Sequence, residues 1–126
     1  MILLVEDEAP VRVVTTRILD AAGYTVIPTA NGVEACEQFA MHGSRVDLVL
    51  TDMVMDGMGG RELVERLRAL GSTVPVLFMS GYTEQSSRNR NFLDGNSQFI
   101  QKPFTPESLT RKVEETLRRT STAEVA

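Results

Sequence analysis

What the chain lacks narrows its class first. No apolar run approaches the roughly 20 residues that a membrane-spanning helix needs. No charged, apolar, small-residue signal segment opens the sequence. The 126 residues contain a single cysteine, Cys36. It cannot close an internal disulfide, which fits a reducing compartment. There are 13 Lys and Arg against 17 Asp and Glu, a formal net charge of −4, and no basic block is dense enough to imply nucleic-acid binding. Internal linkers, low-complexity tracts and repeats are missing too. What remains is 42% hydrophobic and 24% charged, an ordinary globular balance near the modal size of one domain. The expectation is one soluble, cytoplasmic domain.

What is present alternates between two textures. Short, nearly continuous apolar runs occur at Ile2-Leu3-Leu4-Val5, Tyr24-Thr25-Val26-Ile27, Val46-Asp47-Leu48-Val49-Leu50, Val74-Pro75-Val76-Leu77-Phe78-Met79 and Gln98-Phe99-Ile100. Such runs suit strands covered on both faces, as in a parallel sheet. Between them, apolar residues recur every three or four positions. Val11, Val14, Ile18 and Ala22 mark a helix that starts near Pro10 and stops at Gly23. Asn31-Gly32-Val33-Glu34 resembles a capping box, opening a helix that buries Val33, Ala40 and one or both of Cys36 and Phe39. Leu63, Val64, Leu67 and Leu70 mark a third helix, ended by Gly71. A fourth, polar helix is expected over Thr83–Asn91. Thr105-Pro106-Glu107 caps a fifth, carrying Leu109, Val113 and Leu117. The domain is expected over 1–119, with a frayed tail over 120–126.

Strand and helix thus alternate five times, which implies an α/β fold: a doubly wound, five-stranded parallel sheet with five helices on its two faces. Ligands of such sheets bind beyond the carboxyl ends of the strands. The residues there form a coherent set: Glu6 and Asp7 after strand one, Asp52 after strand three, Ser80 after strand four and Lys102 after strand five. Crowded carboxylates need compensation. A hard cation such as Mg²⁺ takes oxygen ligands and commonly sits between one or two carboxylates and a phosphate. Lys102 adds a charge and a donor, and Ser80 a hydroxyl. These are the parts needed to accept a phosphoryl group on a carboxylate.

The chain resembles the response-regulator receiver domains, the CheY-like family, over nearly its whole length. The matching segments are Leu4-Val5-Glu6-Asp7-Glu8, Thr51-Asp52-Met53-Val54-Met55, Met58-Gly59-Gly60, Met79-Ser80-Gly81-Tyr82 and Lys102-Pro103-Phe104. The resemblance implies the flavodoxin-like strand order 2-1-3-4-5, with Asp52 as phosphoacceptor. It implies that Asp7 and Asp52 ligate Mg²⁺ directly, that Glu6 acts largely through water, and that the Val54 carbonyl completes the protein ligands. Ser80 and Lys102 would bind phosphoryl oxygens, Ser80 and Phe99 would act as the switch pair, and Lys102-Pro103 would be a cis peptide. Two departures stand out. Asp56 occupies a position where the family usually has proline, and the switch aromatic is Phe99, not tyrosine.

Each residue alone has a plainer reading: Glu6, Asp7 and Glu8 as solvated or helix-capping acids, and Lys102 as an ordinary surface lysine. The joint pattern favours the functional one. His42, the only histidine, lacks a kinase-type context and is not read as a phosphodonor. Cys36 is read as a small packing residue. A haloacid-dehalogenase-type phosphatase would need Asp-x-Asp after strand one, where this chain has Glu6-Asp7-Glu8. A flavodoxin-like flavin carrier would need a Ser/Thr/Gly-rich phosphate loop there. A pseudo-receiver would lack a site residue. The expected partner is a phosphohistidine-bearing kinase or phosphotransfer domain, with no direct contact to nucleic acid or membrane and a monomeric or weakly dimeric state. The Val76–Thr83 segment resembles receivers of hybrid sensor histidine kinases, and strand one starts almost at the first residue. Both favour a piece of such a kinase over a stand-alone regulator.

Overall fold

The computed structural model describes residues 1–55, 57–80 and 97–125. Five strands, β1 (Ile2–Val5), β2 (Val26–Thr29), β3 (Leu48–Asp52), β4 (Val76–Ser80) and β5 (Ser97–Gln101), form one sheet. Its order is β2-β1-β3-β4-β5 and every pairing is parallel. Four α-helices lie among the described residues: α1 (Ala9–Ala21), α2 (Gly32–His42), α3 (Gly60–Ala69) and α4 (Pro106–Val125). The expected helix over 83–91 and the proline-replacing Asp56 lie outside the described residues. None of these helices is long and apolar enough to cross a membrane.

β1, β3 and β4 are buried along their entire length, as expected for strands sandwiched between two helical layers. Alternate residues feed two cores. Leu3, Val5, Val49, Val76 and Phe78 join Ala35 and Phe39 of α2 and Leu63, Val64 and Leu67 of α3. Ile2, Leu4, Leu48, Leu50, Leu77 and Met79 join Leu19 of α1 and Leu109 and Val113 of α4.

The helix caps follow the sequence signals. The Glu34 N–H donates to the Asn31 side chain at 2.8 Å, and the Glu34 carboxylate reaches back to the Ala30 N–H. Thr105 and Ser108 exchange side-chain-to-backbone bonds at the start of α4. α3 stops before Gly71, whose φ of +87° is easily reached only without a Cβ.

The helix faces are where periodicity misled. On α1 the buried residues are Thr15 and Leu19, while Val14 is 55% exposed and Ala22 is exposed as well. On α2, Gly32, Ala35 and Phe39 are buried, and Val33 and Ala40 face outward. Leu70 lies beyond the end of α3 and is 74% exposed. Small residues explain α2. A Cβ on Gly32 would lie 2.6 Å from the Met58 sulfur, so the first turn of α2 packs tightly on the loop after β3. β2 lies two residues later than its apolar run, at Val26–Thr29, and β3 runs through to Asp52. Strand limits are set here by pairing with neighbouring strands, β1 for β2 and both β1 and β4 for β3, not by local hydrophobicity. The helical backbone of α4 continues past 119 to Val125, where a frayed tail was expected. Neither Gly nor Pro follows Arg119 to stop it.

Candidate functional site

Register places the site. Val5 pairs with Thr51, Asp52 with Met79, and Ser80 with Gln101. The next residues, Glu6 after β1 and Lys102 after β5, therefore reach the same rim as Asp52 and Ser80. Backbone bonds continue the ladder beyond the strands: Met53 N–H to Met79 O at 3.0 Å, and Lys102 N–H to Ser80 O at 2.8 Å. The Lys102–Pro103 peptide is cis.

Lys102 is the hub. Its Nζ lies 2.5 Å from Asp52 Oδ1 and 3.1 Å from Glu6 Oε1. Glu6 is fully buried and Asp52 is 4% exposed. One ammonium thus serves two buried carboxyl groups, too little charge for both to ionise comfortably. Burial, and then a hydrogen bond to Glu6, push Asp52 up to about 8; Lys102 acts in the opposite direction. Burial would also raise Glu6, but hydrogen bonds from Asp52, the Glu8 N–H and Lys102 outweigh it and hold Glu6 below its usual range. For Lys102, burial favours the neutral amine, yet the two acids outweigh it and raise its pKa. The shared lysine and mutual burial thus push the two acids in opposite directions, Asp52 up and Glu6 down.

Glu6 is not the surface acid that its composition suggested. Its Oε2 accepts from the Glu8 N–H at 3.1 Å and its Oε1 meets Lys102, so both oxygens have protein partners. Asp7 and Glu8 are exposed. Glu8 stands at the N-cap of α1 but makes no side-chain capping bond. The carboxylates of Glu6, Asp7 and Glu8 lie within 4.8 Å of one another. Ser80 Oγ is buried and has no hydrogen-bond partner among the described residues, a costly state for a hydroxyl unless a ligand satisfies it. Val54, two residues past Asp52, is 63% exposed. Phe99 leans on Phe78 with ring centroids 5.4 Å apart. Tyr82 lies outside the described residues.

Hard oxygen donors gathered beside an unpartnered hydroxyl and a lysine fit Mg²⁺ together with a phosphoryl group. No soft sulfur or imidazole ligand enters the set. Burial pushes the Cys36 thiol up, as for a packing residue and not a nucleophile.

Two contributors were not read from the sequence. Gly60 lets the chain pass close to Asp52: a Cβ there would meet the Asp52 carbonyl oxygen and come within 3.2 Å of the Phe78 ring. The run Met58-Gly59-Gly60 carried that signal only as a motif. Arg12 donates from Nη1 to the Glu6 carbonyl at 2.8 Å. A basic residue one helical turn past the acids was the available clue.

A doubly wound parallel sheet in the order β2-β1-β3-β4-β5, with Glu6, Asp52, Ser80 and Lys102 at its carboxyl rim, has the architecture of a receiver-like α/β domain. Residues 2–114 match the response regulator receiver domain, and the chain belongs to that family, whose setting is two-component signal transduction. It is 39% identical over 118 residues to the sensor kinase CckA of Brucella abortus, covering 94% of this chain and 12% of that protein. It is 31% identical to the phosphate regulon transcriptional regulatory protein PhoB of Pseudomonas aeruginosa, covering 94% of this chain and 52% of that protein. The solved receiver domain of the hybrid histidine kinase CckA superposes with a TM-score of 0.77 at 33% identity, covering 92% of this chain and 97% of that one. The chain thus spans about half or less of these two curated relatives.

Proposed function

We propose that Asp52 accepts a phosphoryl group from a phosphohistidine. The observation that carries this reading is the convergence of Asp52, Glu6 and Lys102 beside the unpartnered Ser80 hydroxyl. An Asp52 carboxylate oxygen attacks phosphorus, the phosphorus–nitrogen bond breaks, and the imidazole nitrogen keeps the bonding pair. Lys102 and Ser80 donate to the phosphoryl oxygens, which resolves the orphaned hydroxyl. Glu6, Asp7 and Asp52, with the Val54 carbonyl, are the residues that would hold Mg²⁺. When bound, the ion neutralises charge on the transferring group. It would also favour ionised Asp52, the form able to attack. After transfer, Ser80 and Phe99 act as the switch pair and reshape the surface of β5, α4 and the 83–91 segment.

The kinase context is the second part of the proposal. Likeness to the CckA receiver supports placement in a hybrid histidine kinase, in the cytoplasm, with a histidine kinase or phosphotransfer domain as donor. The alternative is a stand-alone regulator.

The test treats the chain with acetyl phosphate and Mg²⁺ and reads intact mass. A gain of one phosphoryl group is expected for the parent, and none for Asp52→Asn or after chelation. Equal labelling of the Asn variant would refute the assignment.

A further inference from the structure

The loop that carries the acids is fastened by one basic residue. Arg12 lies in the early turns of α1 and is half-buried, with its Nη1 on the Glu6 carbonyl at 2.8 Å. That carbonyl belongs to the peptide joining Glu6 to Asp7. Glu6 is otherwise held from its other side: its N–H donates to Thr29 O at 3.0 Å, and its carboxylate meets the Glu8 N–H and Lys102. Those contacts fix Glu6 itself. The Arg12 bond is the one that fixes the plane of the peptide from which exposed Asp7 departs.

The anchor is itself braced. Arg12 sits within the helical hydrogen-bond ladder, its N–H on Glu8 O at 2.9 Å, and Thr16 Oγ1 donates to Arg12 O at 2.7 Å.

We propose that Arg12 is a positioning residue for the divalent-cation site: it presets the Glu6–Asp7 peptide and with it the direction of the Asp7 carboxylate. The inference rests on the metal reading given above. Charge and geometry make opposite forecasts for this residue. By Coulomb's law alone, a cation close to the acids opposes a divalent ion, so its removal should tighten metal binding. If Arg12 orients the ligand loop, its removal should loosen binding despite the improved electrostatics, as happens when groups behind metal ligands are lost.

Mn²⁺ titration followed by water-proton relaxation reads this without any phosphoryl transfer. Arg12→Met keeps most of the apolar stem and deletes the donors. Weakening of Mn²⁺ affinity by about tenfold is expected, with far-UV circular dichroism unchanged. Arg12→Lys keeps the charge but shortens the reach, and an intermediate loss is expected. Met-variant affinity equal to or tighter than the parent's overturns the positioning role. Should Arg12→Met fail to fold, unchanged affinity in Arg12→Lys overturns it equally. A parent chain that binds no Mn²⁺ refutes the metal site itself, and Arg12's role with it. A parent that binds beside an unaffected variant refutes Arg12 alone.

Discussion

The middle of the sheet and the Glu6–Asp52–Ser80 part of its carboxyl rim are both buried but chemically opposite. Leu4, Leu50 and Leu77 are sealed from solvent, and so are Glu6 and Ser80, two or three residues further along the chain from Leu4 and Leu77. In the middle, burial is itself the stabilising interaction. At the rim, the same burial is a liability, relieved only in part by a single lysine. The fold imposes one environment on both regions. The difference lies in whether the side chain has what it needs there, and the rim, with two acids to one ammonium and a hydroxyl without a partner among the described residues, does not.

The comparison breaks most sharply at Asp52. Asp52→Asn should abolish labelling by a phosphohistidine donor while leaving the circular dichroism spectrum native. Persistent labelling at another residue would show that the rim is not organised around this carboxyl.

Leu77→Ala, its counterpart in the middle, should do the reverse. We expect a loss of about 3 kcal/mol in chemical denaturation from lost burial and the cavity left behind. Phosphorylation should survive under conditions where the variant is folded. A loss near zero would mean that the middle of the sheet is not the packed region described here.

The next contrast concerns pH. Burial and the neighbouring Glu6 push Asp52 up to about 8 in the fold, against 3.8 for an ordinary aspartate. Between those values the folded chain retains a proton that the unfolded chain has released. This group's contribution is therefore complete below about pH 4 and is lost as pH rises through about 8. In metal-free buffer, Asp52→Asn should match the parent near pH 4 and become progressively more stable than it as pH rises toward 8. A difference that does not vary with pH would indicate that Lys102 compensates both acids fully.

The smallest effect is on lifetime. Val54 offers no side-chain hydrogen bond with which to orient an attacking water. Val54→Asn should speed loss of the phosphoryl group by about tenfold, or about 1.4 kcal/mol of barrier. Decay of the purified phosphodomain, without a histidine partner, measures it. No acceleration would mean that water is oriented from elsewhere.

Much of the architecture was legible. Ile2–Val5 and the segments around Leu48 and Val76 read as strands because both faces of the sheet are covered. The caps at Asn31 and Thr105 read correctly because capping is local. α1 and α2 did not read correctly at the level of faces. Val14 and Val33 satisfy a helical period as well as Leu19 and Phe39 do, and only docking against the sheet chooses between them. Glu6 was the main surprise at the site. An acid between Val5 and Asp7 reads as exposed, and its burial depends on Lys102, 96 residues away in the chain.

By itself, then, the sequence determined the alternation of strand and helix, the strand order through its family resemblance, and the cast of rim residues. These follow from local periodicity, turn chemistry and motif spacing, which act over a few residues. The tertiary structure alone decided which helix faces are buried, that Lys102 spans Asp52 and Glu6, and that Arg12 reaches the Glu6 carbonyl. Those outcomes depend on distances between segments far apart in the chain, and on burial that exists only once the sheet has closed around them.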